Sequence, residues 1–285
     1  MISEIVQSRL AEYKFASPED EWNAIREIVQ ELALAALSQS GLFKHAAFQG
    51  GTCLRIIHGL TRFSEDLDFA LLTEDPGFEW QHYASSLSKE FQVFGLDVQI
   101  QDRTKLGSNI KTAFIKRDSV GQVLTFQFPR DRSQTQTIRI KLEVDSRPPA
   151  GATHETKLID FPYPCPVTVH DLPSLFAGKC HALLCRTYIK GRDYYDLLWY
   201  LGRKTPVNLV LLQNALEQTG PWQGTELHID QNWLIENLKS VIEKTDFPVA
   251  IADVNKFLGP IEARGLAYWG PKYFLEQISK YEGTI

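Results

Sequence analysis

The chain has little cysteine, and what it has is poorly spaced for chemistry: Cys53, Cys165, Cys180 and Cys185 include no C-x-x-C pair. That spacing speaks against a disulfide framework and a zinc site, and the apolar neighbours predict buried, reduced thiols. Also missing is any run of about 18 apolar residues, so no transmembrane helix is expected. The opening residues, Met1-Ile2-Ser3-Glu4, lack the basic and apolar regions of a secretory signal, and a cytoplasmic protein is the expectation. Internal repeats and low-complexity segments are absent too. Neither sign of charge dominates, the formal net charge being −5. Taken alone, that value argues weakly against a nucleic-acid partner.

The charge is unevenly spread, however. Ten basic residues lie between Arg103 and Arg147 (Arg103, Lys105, Lys111, Lys116, Arg117, Arg130, Arg132, Arg139, Lys141 and Arg147), against four acids, Asp118, Asp131, Glu143 and Asp145. A local basic stretch suits phosphate binding, because the local field matters more than the total. It equally suits a solvated strand edge guarded by charge.

A length of 285 residues, 44% hydrophobic and 23% charged, fits two globular domains. Ser17-Pro18-Glu19-Asp20-Glu21 reads as a helix start, followed by apolar residues at helical spacing up to Gly41. Strand patterns appear at 46–48, 64–72, 96–101, 112–116, 123–128 and 137–145, with a helix at about 78–91. Proline-rich stretches at 148–151 and 162–166 mark a boundary or a long connector. Helical periods follow, including Leu172–Ile189 and Tyr194–Leu201. The predicted architecture is α/β (α+β): a mixed sheet flanked by helices over residues 1–165, then a helical domain over 166–285.

The strongest local feature is Asp66-x-Asp68 on a strand. Alternation puts both acids on one face and Leu67, Phe69 and Leu71 on the other. Two adjacent carboxylates repel unless a cation sits between them, and magnesium favours one or two carboxylates plus substrate phosphates. Gly50-Gly51-Thr52 lies ahead of these acids, between a strand and a helix, where glycine lets the backbone approach a phosphate and the helix offers free N–H groups. A plain tight turn is the alternative. Arg62 and Ser64 could add a cation and a hydroxyl to the same phosphate. Lys141-Leu142-Glu143-Val144-Asp145 places a third carboxylate, Glu143 or Asp145, beside the metal if this strand neighbours the first; otherwise Lys141 and Glu143 form ordinary cross-strand pairs. Lys179 and Arg186 share a helical face and could cover a triphosphate, while Asp193 could instead cap a following helix.

Taken in order, these segments resemble the AbiEii/MenT family of nucleotidyltransferase toxins, within the DNA polymerase β-like superfamily. The resemblance rests on Gly50-Gly51-Thr52-Cys53-Leu54, on Arg62 to Phe69, on Lys141 to Asp145, and on Lys179…Arg186…Arg192-Asp193-Tyr194-Tyr195-Asp196-Leu197. It implies a nucleotidyltransferase-fold sheet domain, a helical domain closing the cleft, and transfer of nucleotides from a nucleoside triphosphate. By position it implies Gly50, Thr52 and Ser64 for nucleotide binding, Asp66 and Asp68 for Mg2+ (or Mn2+), and Lys179 and Asp193 as the later catalytic lysine and acid. Further implications are an RNA acceptor, the 3′ end of transfer RNA, and a cognate antitoxin. Two other readings stand beside it: γ-phosphoryl transfer, with Ser64 as an acceptor within the chain, and a non-catalytic nucleotide-binding scaffold.

Overall fold

Ser17 opens the first long helix. Its hydroxyl accepts the Asp20 N–H at 3.1 Å, Pro18 takes the first helical position, and α2 then runs Pro18–Gln39. The computed structural model describes residues 4–15, 17–96, 98–102, 119–131 and 134–283. Two units emerge, one of Met1–Gly59, Phe63–Pro148 and Glu155–Val169, the other of Leu60–Arg62, Pro149–His154 and His170–Ile285. The segments 60–62 and 149–154, which the sequence pattern places in the first domain, pack with the second.

In the first unit, residues 28–37 of α2 are buried on every side, so this helix belongs to the core rather than covering it. A short α1 (Glu4–Ala11) is held to α2 by Arg9, which donates to Glu31 at 2.7 and 3.2 Å. The sheet has seven strands in the order β3-β4-β5-β2-β1-β7-β6. These are β1 (Ala46–Gln49), β2 (Leu67–Leu71), β3 (Val98–Asp102), β4 (Ser119–Asp131), β5 (Gln134–Asp145), β6 (His154–Ile159) and β7 (Cys165–His170). Pairing is mixed, as expected: β1 runs antiparallel to β2 and parallel to β7, and β2 runs parallel to β5. Phe69 of β2 meets Phe48 at 5.6 Å and Trp80 at 6.0 Å, which anchors the apolar side of the strand in the core. Helices α3 (Gly50–His58) and α4 (Gln81–Val93) complete this unit.

The proline-rich stretch 148–151 falls at the change from the first unit to the second, and the stretch 162–166 runs into β7. Their prolines sit outside the paired backbone or at a strand start, where a missing N–H costs no ladder bond. The strand expected at 112–116 lies outside the described residues.

In the second unit, carboxylate and amide side chains set the helix starts. Asp171, Asn208, Asp230 and Asp246 each accept a backbone N–H at the openings of α5 (Leu172–Cys185), α7 (Leu209–Gln218), α8 (Gln231–Glu243) and α9 (Phe247–Val254). Helices α6 (Gly191–Gly202), α10 (Pro260–Ala263) and α11 (Pro271–Glu282) make up the rest. Phe176 of α5 stacks on Tyr200 of α6 at 4.3 Å. The predicted helix Leu172–Ile189 ends early: Arg186 leaves helical geometry with ψ 136°, and the chain bends at Thr187 and Tyr188 before α6. All four cysteines are free and buried. Among the described residues, no helix is long and apolar enough to cross a membrane.

Candidate functional site

The predicted site residues fall into two groups, one in each unit. In the first unit β1 delivers the chain to Gly50, which has φ +79° and opens α3. A Cβ at this position would stand 2.5 Å from Asp68 Oδ2, so the glycine backbone lies against that carboxylate. Asp68 is also the register partner of Glu143, because β2 and β5 pair in parallel. The same pairing buries Leu67, Phe69, Leu142 and Val144 and leaves Asp68, Lys141, Glu143 and Asp145 half-exposed. Alternation thus works as predicted on both strands. Asp66, 34% exposed, lies just before β2 with Lys141 Nζ at 4.0 Å.

Two residues in this group are tied into the frame around the acids. Thr52 is fully buried, and its hydroxyl donates to the Asp66 carbonyl, tying the glycine turn to the start of β2. Its side chain therefore fixes the frame of the glycine turn. Ser64 accepts from Gln30 Nε2 through its carbonyl at 3.1 Å, so its backbone is fixed independently of its hydroxyl.

A divalent cation is implied by the acids, and the donor set fits one. Asp68 and Glu143 are half-exposed neighbours, Asp66 stands at the strand entry, and all are hard oxygen donors. Among the described residues no three His, Cys, Asp or Glu groups converge tightly enough to enclose a metal by themselves.

In the second unit the other group is a buried charge network. Lys179 Nζ lies 2.8 Å from both Asp193 Oδ1 and Asp196 Oδ2. Arg62 meets Asp196 in fork geometry, Nε to Oδ1 at 2.6 Å and Nη2 to Oδ2 at 2.7 Å. Arg62 is 2% exposed and Asp196 0%. The sequence pattern gives Arg62 to a phosphate; in the structure its guanidinium grips a buried carboxylate. Asp193 does not cap a helix, because α6 already begins at Gly191 and the carboxylate turns back to Lys179. Arg186 Nε stands 2.9 Å from Asp193 Oδ2, close enough for charge attraction but without hydrogen-bond geometry.

Burial opposes every charge here, and the pairing overrules it. Burial would raise the Asp193 pKa, yet Lys179, Arg186 and Lys190 pull it down to about 2. Asp196 is likewise held low by Arg62 and Lys179 against its burial. Lys179 stays above its ordinary value because Asp193 and Asp196 outweigh desolvation. Asp196 is the site residue that motif reading under-weighted. Its signal was its spacing, three residues after Asp193 on one helical face.

Of the basic stretch, Arg139 is exposed on β5. Arg103, Lys105, Lys111, Lys116, Arg117 and Arg132 lie outside the described residues, as does the side chain of Arg130.

Residues 32–263 match the profile of a family described as nucleotidyl transferase AbiEii toxin, type IV TA system. Two solved structures are similar. MenT4, a nucleotidyltransferase toxin from Mycobacterium tuberculosis H37Rv, aligns at TM-score 0.54 and 16% identity over 98% of this chain and 88% of that one. JHP933 from Helicobacter pylori aligns at TM-score 0.50 and 16% identity, over 93% and 96%. At such identity these two likenesses speak to the fold. A search of curated proteins finds no match.

Proposed function

We propose a function from one premise: the chain belongs to the AbiEii family of nucleotidyl transferase toxins of type IV toxin–antitoxin systems. Its activity is nucleotidyl transfer, with a nucleoside triphosphate as donor and an antitoxin as partner. We further assign the acceptor to RNA, at the 3′ end of transfer RNA, and the setting to the cytoplasm. The basic residues between 103 and 147, with Arg139 exposed, support a polyanionic acceptor.

One observation carries the site assignment: Gly50 and Glu143 converge on Asp68. Asp66, Asp68 and Glu143 are the residues that would hold Mg2+, or Mn2+ in its place. When bound, such an ion neutralises phosphate charge and fixes phosphate geometry. The backbone at Gly50 and Gly51 and the N–H groups of α3 take phosphate oxygens, with the Ser64 hydroxyl beside them. An ammonium has three N–H donors; Lys179 spends two on Asp193 and Asp196, and the third is available to a phosphate. Arg186 adds positive charge alongside it. Arg62 is a positioning residue, because it holds Asp196, which holds Lys179.

In the reaction, the acceptor hydroxyl oxygen bonds to the α-phosphorus while the bond to the bridging oxygen of the β-phosphate breaks. The hydroxyl proton passes to a carboxylate such as Glu143, and pyrophosphate leaves. The test is incorporation of labelled nucleoside triphosphates into total cellular RNA and into protein. RNA labelling that disappears in Asp66→Ala and Asp68→Ala supports the reading. Near-wild-type transfer by either variant at saturating Mg2+ removes the metal assignment. Label in protein alone would favour self-modification at a residue such as Ser64.

A further inference from the structure

The second unit carries aromatic rings on its outside. Tyr268 is 73% exposed and Ile261 76%, both on the helical run formed by α10 and the 3₁₀ turn Arg264–Tyr268 that follows it. Trp269 ends that run, half-exposed. Its ring is held in place: Phe274 meets it edge-on at 5.2 Å, and Tyr195 of α6 lies at 6.5 Å. Tyr195 is itself tied to Thr61 through their hydroxyls at 2.7 Å. Pro260 and Pro271 bracket the run and restrict the backbone at both ends. Charge says which partner suits such a surface. Between Asn255 and Tyr273 the basic residues are Lys256, Arg264 and Lys272, and the one acid is Glu262, in a chain of net charge −5. All three cations are exposed, and among the described residues none has an ion pair. Glu262 is drawn back to the start of α10, where a Cβ on Gly259 would stand 2.8 Å from its Oε2.

We infer that this surface is a stacking platform for single-stranded RNA, with Tyr268 and Trp269 against the bases and Arg264 and Lys272 on the phosphates. Exposed rings among uncompensated cations give a single strand what it needs: flat faces for its unstacked bases and positive charge for its backbone. A protein partner would cover the rings as well, but an apolar one would leave three like charges without counter-ions. A duplex keeps its bases stacked on one another and offers these rings little. The surface therefore favours the unpaired end of an acceptor over its helical part. The inference deepens the RNA reading above and rests on it for the choice of RNA over DNA. It uses none of the residues assigned to the metal or to the donor triphosphate.

Fluorescence anisotropy on the full chain tests it, with a short labelled RNA single strand, the matching DNA strand and the RNA duplex. A metal chelator is present throughout and no donor nucleotide is added. The RNA single strand is expected to bind, and the duplex at least about tenfold more weakly. Tyr268→Ala, at an exposed position, should weaken the single strand at least about fivefold and leave its salt dependence unchanged, since it removes a stacking face and no charge. Arg264→Gln with Lys272→Gln should instead flatten the slope of log K against log salt by about 1.4, two phosphate contacts at about 0.7 each. Both variants should keep the parent's urea midpoint, which separates lost contact from lost fold. Single strands bound in this way but never labelled by transfer would remove the acceptor reading and leave this surface standing. Displacement of the RNA by excess nucleoside triphosphate would assign the binding to the donor site and overturn the inference. Tighter binding of the DNA strand would overturn the choice of RNA. Parent-like affinity and slope in both variants overturn the inference as well. So does absence of single-strand binding at low salt, which would leave the rings to a protein partner.

Discussion

Asp66 and Asp196 carry the same carboxylate in opposite circumstances. Asp196 is fully buried and compensates both Arg62 and Lys179, whereas Asp66 is a third exposed with Lys141 at 4.0 Å. Removing one partner of a buried ion pair strands the other charge and costs about 3–5 kcal/mol. Asp196→Ala is therefore expected to lose stability on that scale in urea denaturation. Asp66→Ala should stay within about 1 kcal/mol of the parent, as exposed pairs do, and yet lose transfer. Equal losses in the two variants would contradict the division of roles. Lys179→Ala is expected to lower turnover per folded molecule at least about a hundredfold, roughly 2.7 kcal/mol, and a loss under threefold would leave Lys179 a structural residue. Motif reading could place Asp66, Asp68 and Lys179 because strand alternation and helical spacing are local. It could not assign Arg62, because its partner lies 134 residues away and only folding decides which anion the guanidinium meets.

At the scale of elements, the turn from β1 into α3 is tightly constrained. Gly50 has φ +79°, and its missing side chain leaves the space against which Asp68 rests. Any other residue meets left-handed strain of about 1–2 kcal/mol as well as a collision with the carboxylate. Gly50→Ala is thus expected to lose about 1–2 kcal/mol in urea denaturation and a larger factor in transfer, since the Cβ displaces a proposed metal ligand. Retained activity at reduced stability would mean that Asp68 can move without consequence. Here the sequence was informative, since a glycine pair before a helix announces a backbone constraint. It was less so at β6 and β7, where prolines masked an edge strand whose side chains are mostly exposed and carry no apolar alternation. The end of α5 was also hidden, because Thr187-Tyr188-Ile189 continues the helical apolar period while the backbone turns extended at Arg186.

For the whole molecule, net charge said little, and the pH response depends on a few buried groups whose environments no composition reveals. His170, buried in a T-shaped contact with His154 at 5.0 Å, has its pKa lowered from 6.5 to about 4 by burial and then by His154, against the attraction of Asp171. Unfolded, the same ring takes a proton near 6.5. Between the two values the unfolded chain binds more protons, so stability present above pH 6.5 is lost progressively down to about pH 4. Some 2.5 pH units correspond to about 3 kcal/mol for a fully expressed shift. Asp193 contributes in the same direction only lower, between its ordinary 3.8 and about 2. Lys190 acts at the other end: its pKa of about 8 lies below its unfolded value, so stability rises as pH climbs from about 8 towards 10.5. Glu31, raised by burial against the pull of Arg9, drives the acid limb the opposite way. The urea midpoint is therefore best compared between the parent chain and His170→Gln, where every other group is common to both. The gap between their stabilities should shift in favour of the variant as pH falls from 6.5 to 4.5. A gap that stays constant over that range would show that His170 titrates alike in the folded and unfolded chain, and that its burial carries no pH cost.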